Sequence, residues 1–119
     1  MNTVIAAPEV VTVPVAGAAA AFPVRHVYCV GRNYAEHTKE MGGDTKEPPF
    51  FFTKPADSIV PVVPPAVGEI AYPLATKSLH HEIELVVAIG KSGVRLAPEN
   101  ANQVIFGYAV GLDMTRRDL

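Results

Sequence analysis

The most regular hydrophobic pattern in the chain runs over residues 82–89, where apolar and polar side chains begin by alternating. Alternate side chains of an extended chain leave on opposite sides, so the pattern predicts a β-strand with two different faces. The apolar face is predicted to lie in a core and carries Ile83, Leu85, Val87 and Ile89. Glu82 and Glu84 share the opposite face of the strand.

The remaining pattern predicts a mainly β chain with few short helices. Further strands are predicted over 9–15, 25–30, 50–54 and 104–112. Pro14 places the first of them at a sheet edge, because proline cannot donate to a strand ladder. Short helices are predicted over 33–41, over 98–103 and from Thr115 onward, with Thr115 or Asp113 as the cap of the last. Residues 59–73 contain four prolines and are predicted to form an extended loop.

Composition places the chain among ordinary globular proteins. Its 119 residues, 49% of them hydrophobic, are enough for one small domain with a core. A net charge of -2 argues against nucleic acid or an acidic membrane as a partner. Cys29 stands alone, which excludes an internal disulfide and fits a reducing compartment. We therefore expect a cytoplasmic protein.

The first residues of the chain are apolar but do not have the pattern of a secretory signal. They contain no Lys or Arg and are interrupted by Pro8, Glu9 and Pro14. No stretch approaches the length of a membrane span. We expect an extended N-terminal arm over 1–21, followed by a folded region over 22–119.

The two glutamates of the predicted strand favour a bound cation. Two carboxylates one pleat apart repel each other and lose hydration on burial, so a positive group between them is stabilising. The alternative is a strand end at which both glutamates stay solvated. Asp113 would add a third carboxylate if its strand neighbours that of Glu82 and Glu84, although pattern alone favours a helix cap. Three carboxylates with waters suit Mg²⁺ or Mn²⁺ better than Zn²⁺.

Several other polar residues are candidates for chemistry. His37 and Glu40 would be neighbours on one helix face, where a carboxylate orients a histidine base; a solvated helix face is the alternative that spacing alone favours. Lys54, Arg116 and Arg117 could hold a substrate carboxylate, and for Arg116 we prefer a solvated role. His80 and His81 point to opposite faces of a strand, so both cannot reach one ion.

Four motifs, taken together, closely resemble the fumarylacetoacetate hydrolase family and, within it, its compact bacterial fumarylpyruvate hydrolases. They lie in order over 28–37 (YCVGRNYAEH), 48–55 (PPFFFTKP), 81–87 (HEIELVV) and 107–118 (GYAVGLDMTRRD). The resemblance extends from about residue 22 to Leu119 and implies that residues 22–119 are the N-terminal part of that family's catalytic domain.

The resemblance implies a fold and a site. The fold is of the α+β class, a mainly β, mixed β-roll with few short helices, usually in a homodimer. A Mg²⁺ or Mn²⁺ ion is implied at Glu82, Glu84 and Asp113, and a His37–Glu40 pair on a lid helix. We expect the chain to be truncated on its C-terminal side or completed by a second polypeptide. Alone, it would leave sheet edges and an apolar face uncovered and would be unstable.

The resemblance also implies a reaction. We expect hydrolysis of the carbon–carbon bond of a 2,4-diketo acid of the acylpyruvate type, such as fumarylpyruvate, to pyruvate and fumarate in aromatic (gentisate-type) catabolism. His37 would activate the attacking water, while Lys54 and Arg117 would bind substrate. The first alternative is an oxaloacetate decarboxylase or isomerase of the same family. The second is a non-catalytic fragment whose carboxylates hold a structural ion.

Overall fold

The structure is a computed structural model that describes residues 1–31 and 48–119. Within these residues the chain forms three two-stranded antiparallel sheets, β1–β2, β3–β4 and β5–β6. The strands are β1 (Val11–Val13), β2 (Phe22–Val24), β3 (Val27–Gly31), β4 (Phe50–Lys54), β5 (Leu79–Ile89) and β6 (Ile105–Arg116). Two short 3-10 helices span Ala56–Ser58 and Pro98–Gln103. The predicted mainly β architecture with few short helices is confirmed.

The first unit of the chain, Met1–Ile70, contains two of the three sheets. In β1, Thr12 lies between two valines. The strand pairs with β2 in antiparallel orientation, with Val11 opposite Val24. The strands predicted within 9–15, 25–30 and 50–54 are therefore confirmed, whereas β2 was not predicted. The division of the chain at residue 22 stays a prediction.

The second unit, Ala71–Leu119, is built on the long hairpin of β5 and β6. The pairing register shifts between Ala88 and Ile89. Beyond this shift, the Gly90 N–H donates to the Val104 carbonyl at 2.8 Å. The connection contains the helix Pro98–Gln103, whose first position suits a proline because the missing N–H has no helical partner there.

The predicted loop over 59–73 has no strand or helix.

The helix predicted from Thr115 onward is wrong. β6 continues to Arg116, and Thr115 pairs with His80 while Asp113 pairs with Glu82. The ladder supplies the backbone hydrogen bonds that a helix start would otherwise need, so pairing with a distant strand overrides the local capping preference. The helix predicted over 33–41 lies outside the described residues.

The face of β5 that was predicted to lie in a core is exposed in this chain, which agrees with the expectation that the chain alone leaves an apolar face uncovered. Ile83 and Leu85 are 68% and 62% exposed, and no hydrophobic residue that the structure describes is buried. Strand alternation decides which side chains share a face, whereas burial needs a second layer, and a two-stranded ribbon is a single layer. Of the helices in the described part of the chain, none is long and apolar enough to cross a bilayer.

Candidate metal centre

Three carboxylates converge on one face of the β5–β6 hairpin. Glu82 and Glu84 are two positions apart on β5, and Asp113 of β6 is the direct partner of Glu82. Directly opposed residues of an antiparallel pair project from the same face, so all three side chains meet there. One carboxylate oxygen from each lies within 4.8 Å of the others, and all three residues are half-buried. The structure thus brings together the three predicted ligands.

The donor set of this acidic cluster (Glu82, Glu84 and Asp113) fits a hard divalent cation. It offers only carboxylate oxygens, which Mg²⁺ and Mn²⁺ prefer. Oxygens bound to one Mg²⁺ ion lie about 3–4 Å apart, because each is about 2.1 Å from the ion. Half-buried glutamate side chains can close the remaining difference by small rotations. Metal binding at the cluster stays a prediction.

Arg117 contacts the acidic cluster. Its guanidinium donates a hydrogen bond to Oε1 of Glu82, and the two side chains are 29% and 27% exposed. The positive charge offsets part of the repulsion among the carboxylates. A substrate-binding role of Arg117 stays a prediction, and the structure adds a contact with a predicted metal ligand that sequence reasoning missed.

A glycine faces the acidic cluster from β6. Gly111 is the partner of Glu84, and a Cβ placed on it would lie 2.8 Å from Cγ2 of Val86. The Val86 side chain, on the same face as Glu84, occupies the position that a Gly111 side chain would need. Any larger residue would have to displace the Val86 side chain, which is stiff because it branches at Cβ.

A second polar group, the Thr76–Asp118 clamp, ties the end of β6 to the chain before β5. The Thr76 hydroxyl donates to Oδ1 of Asp118, and the Lys77 N–H donates to Oδ2 at 2.8 Å. These two hydrogen bonds, the hydroxyl first, hold the pKa of Asp118 below its ordinary value. Thr76 is only 5% exposed. Sequence reasoning missed the clamp, since no local pattern links residues 42 positions apart.

The other predicted residues are not members of the acidic cluster or lie outside the described part of the chain. His37 and Glu40 fall outside the described residues. Lys54 ends β4 in the first unit, opposite Val27, and is half-buried. On β5, His80 shares the face of Glu82 with its Nε2 3.3 Å from the Ser78 hydroxyl, whereas His81 belongs to the other face.

Comparison with known proteins places the chain in a family. A family model described as fumarylacetoacetate (FAA) hydrolase C-terminal matches residues 26–119. The chain belongs to the fumarylacetoacetate hydrolase family. The membership predicted from the four motifs is therefore confirmed, and so is the predicted fold class.

The relatives that this chain matches within the fumarylacetoacetate hydrolase family are named for different activities. The crystal structure of fumarylpyruvate hydrolase from Pseudomonas aeruginosa in complex with Mn²⁺ and pyruvate is 55% identical, with a TM-score of 0.95 over 99% of this chain and 51% of that one. A mitochondrial oxaloacetate decarboxylase of Dictyostelium discoideum is 43% identical over 79% of this chain and 42% of the relative. The oxaloacetate tautomerase YcgM of Escherichia coli is 42% identical over 87% and 45%. The chain thus spans about half the length of the relatives it matches.

Proposed function

We propose that the protein carrying this chain hydrolyses the carbon–carbon bond of an acylpyruvate, with fumarylpyruvate as the expected substrate. The observation that carries the proposal is the convergence of Glu82, Glu84 and Asp113 on one face of a hairpin. It is supported by the 55% identity to a fumarylpyruvate hydrolase crystallised with Mn²⁺ and pyruvate.

In this proposal the acidic cluster holds a Mg²⁺ or Mn²⁺ ion. When bound, the ion would act as a Lewis acid toward the carboxylate and 2-keto oxygens of the pyruvyl half, where negative charge develops as the bond breaks. The three carboxylates would hold the ion, and their oxygens lie within 4.8 Å of one another. Lys54 and Arg117 are proposed to hold substrate carboxylates, for which a guanidinium is suited by its paired donors.

His37, oriented by Glu40, is proposed as the general base. It would remove a proton from the water that attacks the distal carbonyl, and that proton would then be available to the carbon leaving as pyruvate. The bond between the attacked carbonyl and the methylene carbon breaks, giving pyruvate and a carboxylic acid. Support for this pair comes from its three-residue spacing on a predicted helix and from the family resemblance.

A second candidate function is decarboxylation or tautomerisation of oxaloacetate. It is favoured by the two relatives that carry those names, at 43% and 42% identity. Such chemistry needs a cation to take up charge from the keto acid but no attacking water. A structural ion in a non-catalytic fragment is the remaining candidate. We further propose that the protein is a homodimer and that the remainder of the domain comes from a longer chain or a second polypeptide. We also propose that the protein is cytoplasmic and acts in aromatic catabolism.

Product analysis with Mn²⁺ and each substrate separates these candidates. We expect fumarylpyruvate to give equal amounts of fumarate and pyruvate, and oxaloacetate to be consumed much more slowly. Faster loss of CO₂ or faster keto–enol exchange from oxaloacetate would favour the second candidate, and turnover of neither would favour the structural ion. Size-exclusion chromatography with light scattering tests the homodimer.

Two variants test the roles within the site. Glu82→Gln should abolish Mn²⁺-dependent turnover because it removes a ligand. His37→Ala should abolish hydrolysis while Mn²⁺ binding remains. Glu99→Gln, an exposed acid in the second unit, is the matched control. Full activity in either site variant would refute the assignment.

A further inference from the structure

The positively charged side chain of Arg117 contacts the acidic cluster. The Arg117 guanidinium donates to Oε1 of Glu82, which is a member of the acidic cluster. Both side chains are half-buried, so their attraction is screened less than that of a fully exposed pair. Glu82 therefore has two competing uses, one toward Arg117 and one toward a cation.

Arg117 is held in place although it lies one residue beyond the end of β6. Its own N–H donates to the Ser78 carbonyl at 2.8 Å. The next residue, Asp118, accepts hydrogen bonds from the Thr76 hydroxyl and the Lys77 N–H. Thr76 is further fixed because its Oγ1 accepts from the Ser78 N–H at 3.1 Å. The backbone on both sides of the Arg117 side chain is thus anchored to the segment that leads into β5.

We propose that Arg117 is the resident counter-ion of the acidic cluster, and that Thr76 and Asp118 are positioning residues that keep it on Glu82. Without a cation, three carboxylates within 4.8 Å repel one another, and the guanidinium lowers that repulsion. A Mg²⁺ or Mn²⁺ ion bound to the cluster would compete with Arg117 for the Glu82 carboxylate and would lie near the guanidinium charge. Arg117 therefore stabilises the metal-free protein and lowers its affinity for the cation. This inference rests on the proposed metal-binding role of the cluster.

Removing the charge of Arg117 should have two opposite effects. We expect Arg117→Gln to bind Mn²⁺ roughly threefold to tenfold more tightly, because one positive charge beside the ion is lost. The metal-free variant should melt at a lower temperature, and its stabilisation by Mn²⁺ should be larger. Arg117→Lys keeps the charge and should lie closer to the wild type. Binding is measured by calorimetric titration of the purified protein with MnCl₂, and melting by circular dichroism.

Arg116→Gln is the matched control. It removes the same charge from the adjacent position, but strand alternation places Arg116 on the opposite face, in register with Leu79. We expect it to change Mn²⁺ affinity less than Arg117→Gln does. Equal effects of the two variants would mean that net charge alone sets the affinity, which overturns the proposal.

The positioning residues are tested by coupling to Arg117. Asp118→Asn and Thr76→Val should tighten Mn²⁺ binding in the same direction, while Thr76→Ser, which keeps the hydroxyl, should match the wild type. The double variant Arg117→Gln, Asp118→Asn should bind no more tightly than Arg117→Gln alone, because Asp118 acts through Arg117. Additive effects would overturn the positioning role.

The outcomes separate this inference from the proposed function. Absence of Mn²⁺ binding to the wild-type protein would overturn both. Binding to the wild type with unchanged or weaker binding to Arg117→Gln would overturn the counter-ion role alone and leave the metal site standing.

Discussion

Asp113 lies directly opposite Glu82 in the antiparallel ladder of β5 and β6. This pairing puts the carboxylate of a residue 31 positions away on the face where Glu82 and Glu84 already project. A shift of one residue in the register would move Asp113 to the other face and leave only two carboxylates. The register of this hairpin is therefore the structural basis of the candidate metal centre.

Loss of the Asp113 carboxylate should weaken divalent cation binding. We expect Asp113→Asn to lower Mn²⁺ affinity at least about 10-fold, because an amide has no negative charge and offers a single oxygen. The measurement is a calorimetric Mn²⁺ titration, with the exposed Asp57→Asn as control. Unaltered affinity in Asp113→Asn would remove Asp113 from the ligand set.

A side chain at Gly111 should destabilise the hairpin. The Cβ of Gly111→Ala would lie 2.8 Å from Cγ2 of Val86, and crowding of this kind costs about 1 kcal/mol or more. Gly107→Ala is the matched control, because a Cβ there meets nothing within 4 Å. Urea unfolding measures the free energy of unfolding of each variant. The double variant Gly111→Ala, Val86→Ala should recover most of the loss, and failure to do so would place the strain elsewhere.

The Thr76 hydroxyl should contribute to stability. Thr76→Val removes the donor to Asp118 and the acceptor of the Ser78 N–H, from a site that is 5% exposed. Losing these partners should lower the free energy of unfolding by about 1–3 kcal/mol. Thr76→Ser keeps both hydrogen bonds and should stay close to the wild type in chemical denaturation. Destabilisation by Thr76→Ser without destabilisation by Thr76→Val would assign the contribution to the methyl group and contradict the role of the hydroxyl.

Asp118 should make stability fall in acid. Its pKa is lowered in the folded protein, chiefly by the Thr76 hydroxyl and then by the Lys77 N–H, so the folded state binds its proton more weakly than the unfolded state does. The contribution is present in full above the unfolded pKa of about 4 and is lost as pH falls through the folded pKa. Thermal melts from pH 6 to pH 2 should show a steeper decline for wild type than for Asp118→Asn. Parallel curves would contradict this role.

The local sequence pattern predicts several of the strands and a short helix, but not the end of the last strand. Strands β3, β4 and β5 follow from β-branched and aromatic runs, and Pro98 marks the start of the second 3-10 helix. The end of β6 was mispredicted because Asp113 and Thr115 are good helix caps in isolation, whereas their partners Glu82 and His80 hold them in a strand. Local preferences are weak compared with a complete backbone ladder.

The amino-acid sequence alone predicts that Glu82 and Glu84 share a strand face, because side-chain alternation is a local property of extended chains. It also determined the family, through four ordered motifs. The tertiary structure was needed to show that Asp113 joins the two glutamates, that Arg117 contacts Glu82 35 positions away, and that Thr76 holds Asp118. It also decided that the face of Ile83 and Leu85 is exposed in this chain. These features depend on which distant segments pair, pack and cover one another, and strand periodicity carries no information about that.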